Sequence, residues 1–336
     1  MEWTVAVGVD THKDAHVAVA LNRLGARLGS CRVPSNERGY RALLEWARSL
    51  ATTVAFAVEG SGSYGAGLAR FLVAAGELVF ESERPRRRDR RSAKSDLIDA
   101  TLAARRLFSG DGLNQLRGAG RREELRLLLL ERRSASQART AALNQLHAVL
   151  LVAPEALRGR LSALAAGSLA RACSRLRNLE DKPLTAVLRR IARRVLMLDQ
   201  ELALIDDELK RLVSELFPEL LDECGVGVVC AAQLLVSSGD PKRMRSEAAF
   251  AALAGTNPVD ASSGRQQRHR LNRGGDRQLN RALHVIALAR IRHHPETASY
   301  YKKLLATGKT AREARRCIKR ALARHFYRRL TLTQPT

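Results

Sequence analysis

The sequence predicts an N-terminal α/β domain over residues 1–112, a helical middle over 113–218, and a mainly α, strongly basic C-terminal part over 219–336. Three observations carry this reading. Short alternating or continuous apolar runs fill the first hundred residues, apolar residues recur at heptad spacing through the middle, and positive charge gathers at the C-terminal end.

Residues 4–9 (TVAVGV), 15–21 (AHVAVAL) and 26–33 (ARLGSCRV) read as three short strands, with turns at 10–14 and 22–25. A helix at about 37–50 follows, then a buried strand at 54–58, a helix at about 64–75, a strand at 78–81, and a helix from Ser95 to about Phe108. Three strands, helix, strand, helix, strand, helix is the element order of an RNase H-like fold, a mixed sheet covered by helices. Farther on, residues 121–151 carry apolar positions at helical spacing. Leu184, Leu188, Ile191, Val195, Leu198, Leu202, Ile205, Leu209, Leu212 and Leu216 alternate steps of four and three, a heptad seam that predicts a coiled coil within the chain or between protomers. From Asp222 the texture changes. Gly225-Val226-Gly227 before CAAQLL reads as a helix-hairpin-helix-like turn, whose N–H groups can hold a phosphate. A helix at 246–254, an irregular stretch at 255–265, and two or three basic helices complete the chain.

Composition narrows the class. Hydrophobic residues make up 45%, and no apolar run reaches the roughly 18 residues of a membrane span, so a globular protein without a membrane partner is expected. Met1-Glu2-Trp3 lacks the basic start of a signal peptide, and the five cysteines show no paired spacing. Both point to a reduced, cytoplasmic setting, at the nucleoid if DNA is the partner. The net charge is +24, and from Arg265 onward 19 basic residues face 3 acidic ones. Codon bias toward arginine would spread charge evenly. A concentration of this kind predicts a polyanionic partner, nucleic acid. Candidate contacts are Arg265, Arg268, Arg270, Arg273, Arg277, Arg315, Arg316, Lys319 and Arg320, together with Arg86, Arg87, Arg88, Arg90, Arg91 and Lys94 in the run RPRRRDRRSAK.

Four acids stand out against this background. Asp10 follows the first strand and Glu59 ends the central one, strands that neighbour each other in an RNase H sheet. Asp96 and Asp99 lie three apart on the next helix, hence on one face. Carboxylates gathered together repel, and a divalent cation relieves the repulsion. Hard oxygen donors suit Mg²⁺, one ion or two. His12 and Lys13 read more simply as turn residues.

The segments GVDTHKDAHVAVALNRLG, FAVEGSGSYG and AKSDLIDATLAARRL resemble blocks of the DEDD-type insertion-sequence transposases, the family numbered one hundred and ten, which pairs a RuvC-like domain with a serine-bearing C-terminal domain. ECGVGVVCAAQLL, FAALAGTNPVDASSGRQQRHRLNRGGDRQLNRALHVIALAR and GKTAREARRCIKRALAR continue the likeness in order. The resemblance implies that Asp10, Glu59, Asp96 and Asp99 bind metal and that Ser263 attacks DNA, with Ser262 its alternative. It also implies excision and insertion of a mobile element, donor and target DNA as substrates, a structured noncoding guide (bridge) RNA, and a homo-oligomer, dimer or tetramer. Three rival readings stay open on the residues alone. They are a RuvC-like Holliday-junction resolvase or other metal-dependent nuclease with water in place of serine, an actin-like ATPase suggested by the first hairpin, and a non-catalytic DNA-binding protein.

Overall fold

Strand β1 (Val5–Thr11) is buried at every position, as a strand covered on both faces must be. The computed structural model describes residues 3–82, 95–110, 113–116, 120–177, 182–239, 246–260, 269–270, 272 and 274–332. In it β1 lies inside a six-stranded sheet of order β3-β2-β1-β4-β5-β6. The other strands are β2 (Ala15–Asn22), β3 (Arg27–Pro34), β4 (Val54–Glu59), β5 (Leu78–Ser82) and β6 (Leu113–Gln115). β1, β2 and β3 run antiparallel in turn, β4 and β5 are parallel to β1, and β6 returns antiparallel on the edge.

Alternation along β1 and β4 decides which helix covers which face. Val5, Val7, Val9, Phe56 and Val58 pack against Leu43 and Leu44 of α1 (Glu37–Leu50) and Leu68 and Leu72 of α2 (Ala66–Ala74). The intervening residues, Ala6, Ala55 and Ala57, pack on the opposite face against Ala100, Ala103, Ala104 and Leu107 of α3 (Asp96–Ser109). On β1 and β4 the first face carries branched and aromatic side chains, whereas the second offers α3 only alanines and Gly8, so α3 approaches these two strands closely. This α/β unit spans Met1–Ala119, and a second compact unit spans Gly120–Thr336.

The second unit is mostly helical. Its elements are α4 (Arg121–Leu151), α5 (Glu155–Leu161), α6 (Ala166–Ser174), α7 (Lys182–Leu216), a 3₁₀ turn at Pro218–Leu220, α8 (Val228–Ser238), α9 (Glu247–Leu253), the strands β7 (Val259–Asp260) and β8 (His269–Arg270), α10 (Arg277–His293), α11 (Pro295–Ala306) and α12 (Ala311–Leu332). α4 and α7 pack antiparallel: Arg121 pairs with Glu215 at 3.2 Å, Arg132 with Asp206 at 2.5 Å, and Arg139 with Asp199. Of the heptad seam, Leu188, Ile191, Val195, Leu198, Ile205, Leu209 and Leu212 are buried. One end joins Leu125 and Leu129 of α4, the other Leu146 and Leu150, so the seam is occupied within the chain. Helices from either side of residue 218 share one core, in which Leu209 and Leu212 meet Leu234, Phe250, Leu283 and Phe326. The Gly225 turn faces α10, where a Cβ would come within 3.0 Å of the Ala289 methyl. Arg290 locks that turn by donating to the Cys224 carbonyl at 2.8 Å and to Glu223 at 2.5 Å.

His16 on β2 is completely buried, stacks on Tyr40 at 5.7 Å, and has no hydrogen-bond partner on either ring nitrogen among the described residues. Burial, helped by nearby His12, holds its pKa below 6.5. The unfolded chain therefore takes up this proton more readily than the folded one, and the folded state loses stability as pH falls through 6.5. His16→Leu should stabilise the first unit by about 1 kcal/mol at pH 5, since an unsatisfied buried polar group costs about 1–3 kcal/mol. Thermal melts at pH 5 and pH 7.5 check this: the gain should be larger at the lower pH, and an equal gain at both would exclude the imidazole as its source.

Candidate metal centre

Ala6, Gly8 and Asp10 point to one face of β1, and Ala55, Ala57 and Glu59 to the same face of β4. The parallel register runs Val5↔Val54 to Val9↔Val58, so Asp10 and Glu59 are the next residues on two adjacent strands. Both leave the sheet at its C-terminal edge on the α3 side. Gly8 permits the approach of α3. A Cβ there would lie 2.0 Å from the Ala100 carbonyl oxygen and 2.2 Å from the Ala104 nitrogen, distances no side chain can occupy. The close contact sets the first turn of α3, with Asp96 and Asp99, over the end of β1. Carboxylates in a first helical turn are also favoured by the helix dipole. Thr11 ties the two strand ends together, its hydroxyl donating to the Glu59 carbonyl at 2.7 Å.

Asp10, Glu59 and Asp99 are 6%, 9% and 4% exposed, whereas the Asp96 side chain is half-buried. Burial raises the pKa of Asp10, His12 opposes the rise, and Asp99 and Asp96 add to it. The structure thus brings Asp10, Asp96 and Asp99 within electrostatic reach of one another and places Glu59 beside them on the neighbouring strand.

The imidazole of His12 completes the cluster. Its Nε2 lies 3.2 Å from an Asp10 oxygen and 3.3 Å from an Asp96 oxygen. It satisfies hydrogen-bond geometry to neither. One donor atom from each of Asp10, His12 and Asp96 falls within 4.8 Å of the others. A buried carboxylate with raised pKa, further acids beside it, and an unbonded imidazole nitrogen form a donor set that a divalent cation fits. Sequence reasoning read His12 as a turn residue. No local pattern marked it, since β1 ends at Thr11 and strand alternation does not reach residue 12.

Most of the remaining sequence candidates lie outside the described residues: Arg86, Arg87, Arg88, Arg90, Arg91, Lys94, Ser262, Ser263, Arg265, Arg268 and Arg273. β7 and β8 pair antiparallel, Val259 with Arg270 and Asp260 with His269, and bracket the stretch holding both serines. Arg277 opens α10 and is exposed. Arg315, Arg316 and Arg320 are half-buried on α12, with Arg315 donating to the Ala311 carbonyl and Arg316 lying 3.7 Å from Glu313. Lys319 departs from the surface position expected of a phosphate contact. It is 8% exposed and donates to Asn280 at 2.7 Å, and burial and Arg316 lower its pKa. Asn280 in turn donates to the Ala254 carbonyl at 2.6 Å, so Lys319 buttresses the chain just before β7.

A family model described as a transposase, of the DEDD type and named for IS110, matches residues 7–153. A second, described as the transposase of the IS116/IS110/IS902 family, matches residues 219–302. A 43.6 kDa protein of insertion element IS110 from Streptomyces coelicolor is 40% identical over 100 residues, 30% of this chain and 25% of that protein. A 42 kDa protein of insertion element IS900 from Mycobacterium paratuberculosis is 28% identical across 94% of this chain and 92% of its own length. No helix among the described residues is long and apolar enough to cross a membrane. The two models fall in order on the acid-bearing and the serine-bearing parts of the sequence, and the chain belongs to the IS110 family of DNA transposases.

Proposed function

We propose that the protein is a site-specific DNA recombinase that excises and inserts an insertion element, with Asp10, Glu59, Asp96 and Asp99 as its metal site and Ser263 as its nucleophile. The observation that carries this reading is the convergence of the acids on one sheet edge in a protein of net charge +24. Buried carboxylates repel, and a fold retains them at such a cost where they bind a cation. The oxygen donors favour Mg²⁺, one ion or two, which when bound withdraws charge from a scissile phosphate.

The chain's own residues supply the rest. His12, whose Nε2 lies between Asp10 and Asp96, would add a nitrogen donor beside the two carboxylates. The Ser263 Oγ attacks phosphorus, gives up its proton, and displaces the 3′ oxygen, leaving a 5′-phosphoserine and a free 3′ hydroxyl. A 3′ hydroxyl of a second strand reverses the step, forming the new phosphodiester and regenerating serine. One phosphodiester is exchanged for another, and no ATP is required. Arg265, Arg268 and Arg270, close behind the serine in sequence, would offset charge developing on the phosphate.

Donor and target DNA are the substrates. A structured noncoding guide RNA would deliver sequence choice through base pairing, leaving a basic protein to hold the backbone. Two cut strands held together call for a homo-oligomer.

The test is a supercoiled plasmid carrying the element and its flanks, incubated with protein, Mg²⁺ and RNA transcribed from the element's noncoding end. Joined circles of the element support recombination. Nicked or linear products with 5′ phosphates and no joined ends would instead identify a metal-dependent nuclease of the resolvase kind.

A further inference from the structure

Within the second unit, α4 forms one wall of a cleft of about 620 Å³, and α8 and α10 form the other. Among the described residues its lining includes no acid. Three arginines line it, Arg132, Arg133 and Arg281. Arg132 is neutralised by Asp206, which takes two hydrogen bonds from it at 2.5 and 3.0 Å. Arg133 and Arg281 have no ion-pair partner among the described residues. They stand on different helices, and Arg281 is exposed. Two uncompensated guanidinium groups on opposite walls of an acid-free cleft raise its positive potential, because low-dielectric walls focus the field.

The remaining lining supports a ligand with both charged and flat parts. Leu129, Cys230 and Ala282 give an apolar floor, while Gln137 and Gln278 carry amides able to donate and accept. A cleft of this volume lies in the small-ligand range of about 300–1,000 Å³. It takes a short length of a single strand and not the rod of a duplex. Gln278 follows Asp276, which caps α10 and accepts from Ser237 at 2.5 Å, and the Asp276 nitrogen donates to the Leu253 carbonyl at 2.6 Å. Gln278 therefore ties the lining to the chain that precedes β7 and follows β8.

We propose that this cleft seats one strand of DNA, with backbone phosphates on Arg133 and Arg281. This rests on the recombinase reading above and adds where in the second unit a separated strand lies.

Arg133→Ala combined with Arg281→Ala tests it in the full-length protein, with fluorescence anisotropy of a labelled single-stranded DNA across a salt series. Loss of two phosphate contacts should weaken binding about tenfold near 0.15 M salt and reduce the log–log salt slope by about 1.4, from about 0.7 per phosphate on a single strand. Neither side chain is paired, so melting should be unchanged, and Arg133→Lys with Arg281→Lys should restore most of the affinity. Wild-type binding with an unaltered slope in the alanine variant overturns the cleft while leaving the recombinase reading intact. A change seen only with an RNA strand of the same sequence overturns the assignment to DNA. No binding of any nucleic acid by the wild type would bring down the recombinase reading itself.

Discussion

Asp10→Asn is expected to abolish metal-dependent DNA cleavage, by more than about a hundredfold, and at the same time to make the metal-free protein melt at a higher temperature. The two effects share a cause. Asp10 is 6% exposed, and burial together with Asp99 and Asp96 raises its pKa above 3.8. A raised folded-state pKa means that the charged carboxylate costs stability at neutral pH and that the cost disappears as pH falls below 3.8. The isosteric amide carries no charge, so it removes the cost where the cost is greatest, near pH 7. A gain on the order of 1 kcal/mol would move the melting of the first unit by a few degrees. The same charge is what a cation at this sheet edge would bind, and a metal's contribution to phosphate activation amounts to several kcal/mol. Mg²⁺ should thus raise the wild-type melting temperature and leave that of the variant unmoved. Calorimetry of both proteins with and without Mg²⁺ decides the matter. An equal Mg²⁺-induced shift in the variant would remove Asp10 from the metal site.

The first unit was legible nearly to the residue because each of its elements has its own local signal. α1, for example, runs from Asn36, which caps it by accepting from Gly39, through the amphipathic ERGYRALLEWARSL, to the break at Ala51. The placement of Asp10 and Glu59 at one sheet edge was legible through strand alternation, and that of Asp96 and Asp99 on one helix face through helical spacing. His12 was not. What sets it between two carboxylates is the seating of α3 on Gly8, a tertiary contact that brings Asp96 to Asp10 and leaves no trace in local pattern. β6 escaped for a similar reason, being three residues held by pairing with β5. The helices α5 and α6, seven and nine residues long, are too short for periodicity to separate them from a loop. The heptad seam left its partner open, since spacing tells that a face is buried but not against what. Antiparallel α4, joined by Arg132–Asp206 and Arg139–Asp199, supplies the answer. Lys319 shows the limit of reading charge as surface. A lysine on a basic helix was expected at a phosphate, and Asn280 holds it inside.

Ser263→Ala is expected to eliminate the covalent protein–DNA adduct and to lower recombination at least about a thousandfold, in line with loss of an enzymatic nucleophile. A serine hydroxyl is a weak nucleophile until its surroundings activate it, so no neighbouring group of ordinary reactivity should take over its role. The pattern of retained properties is as telling as the loss. The acids lie in the unit Met1–Ala119 and Ser263 in the sequence of the other, so the Ser263→Ala protein should keep the full Mg²⁺-induced rise in melting temperature that Asp10→Asn loses. A neutral hydroxyl releases no counterions, so DNA affinity and its salt slope should stay within about twofold of wild type. Ser262→Ala provides the matched control, with adduct and activity preserved. The adduct itself is read by denaturing electrophoresis of end-labelled DNA and by mass spectrometry of the phosphorylated peptide, which names the serine. An active Ser263→Ala beside an inactive Ser262→Ala would move the nucleophile by one residue. If both variants cleave DNA to hydrolysed 5′ phosphates without an adduct, the attacking group is water, and the acid cluster alone carries out the chemistry.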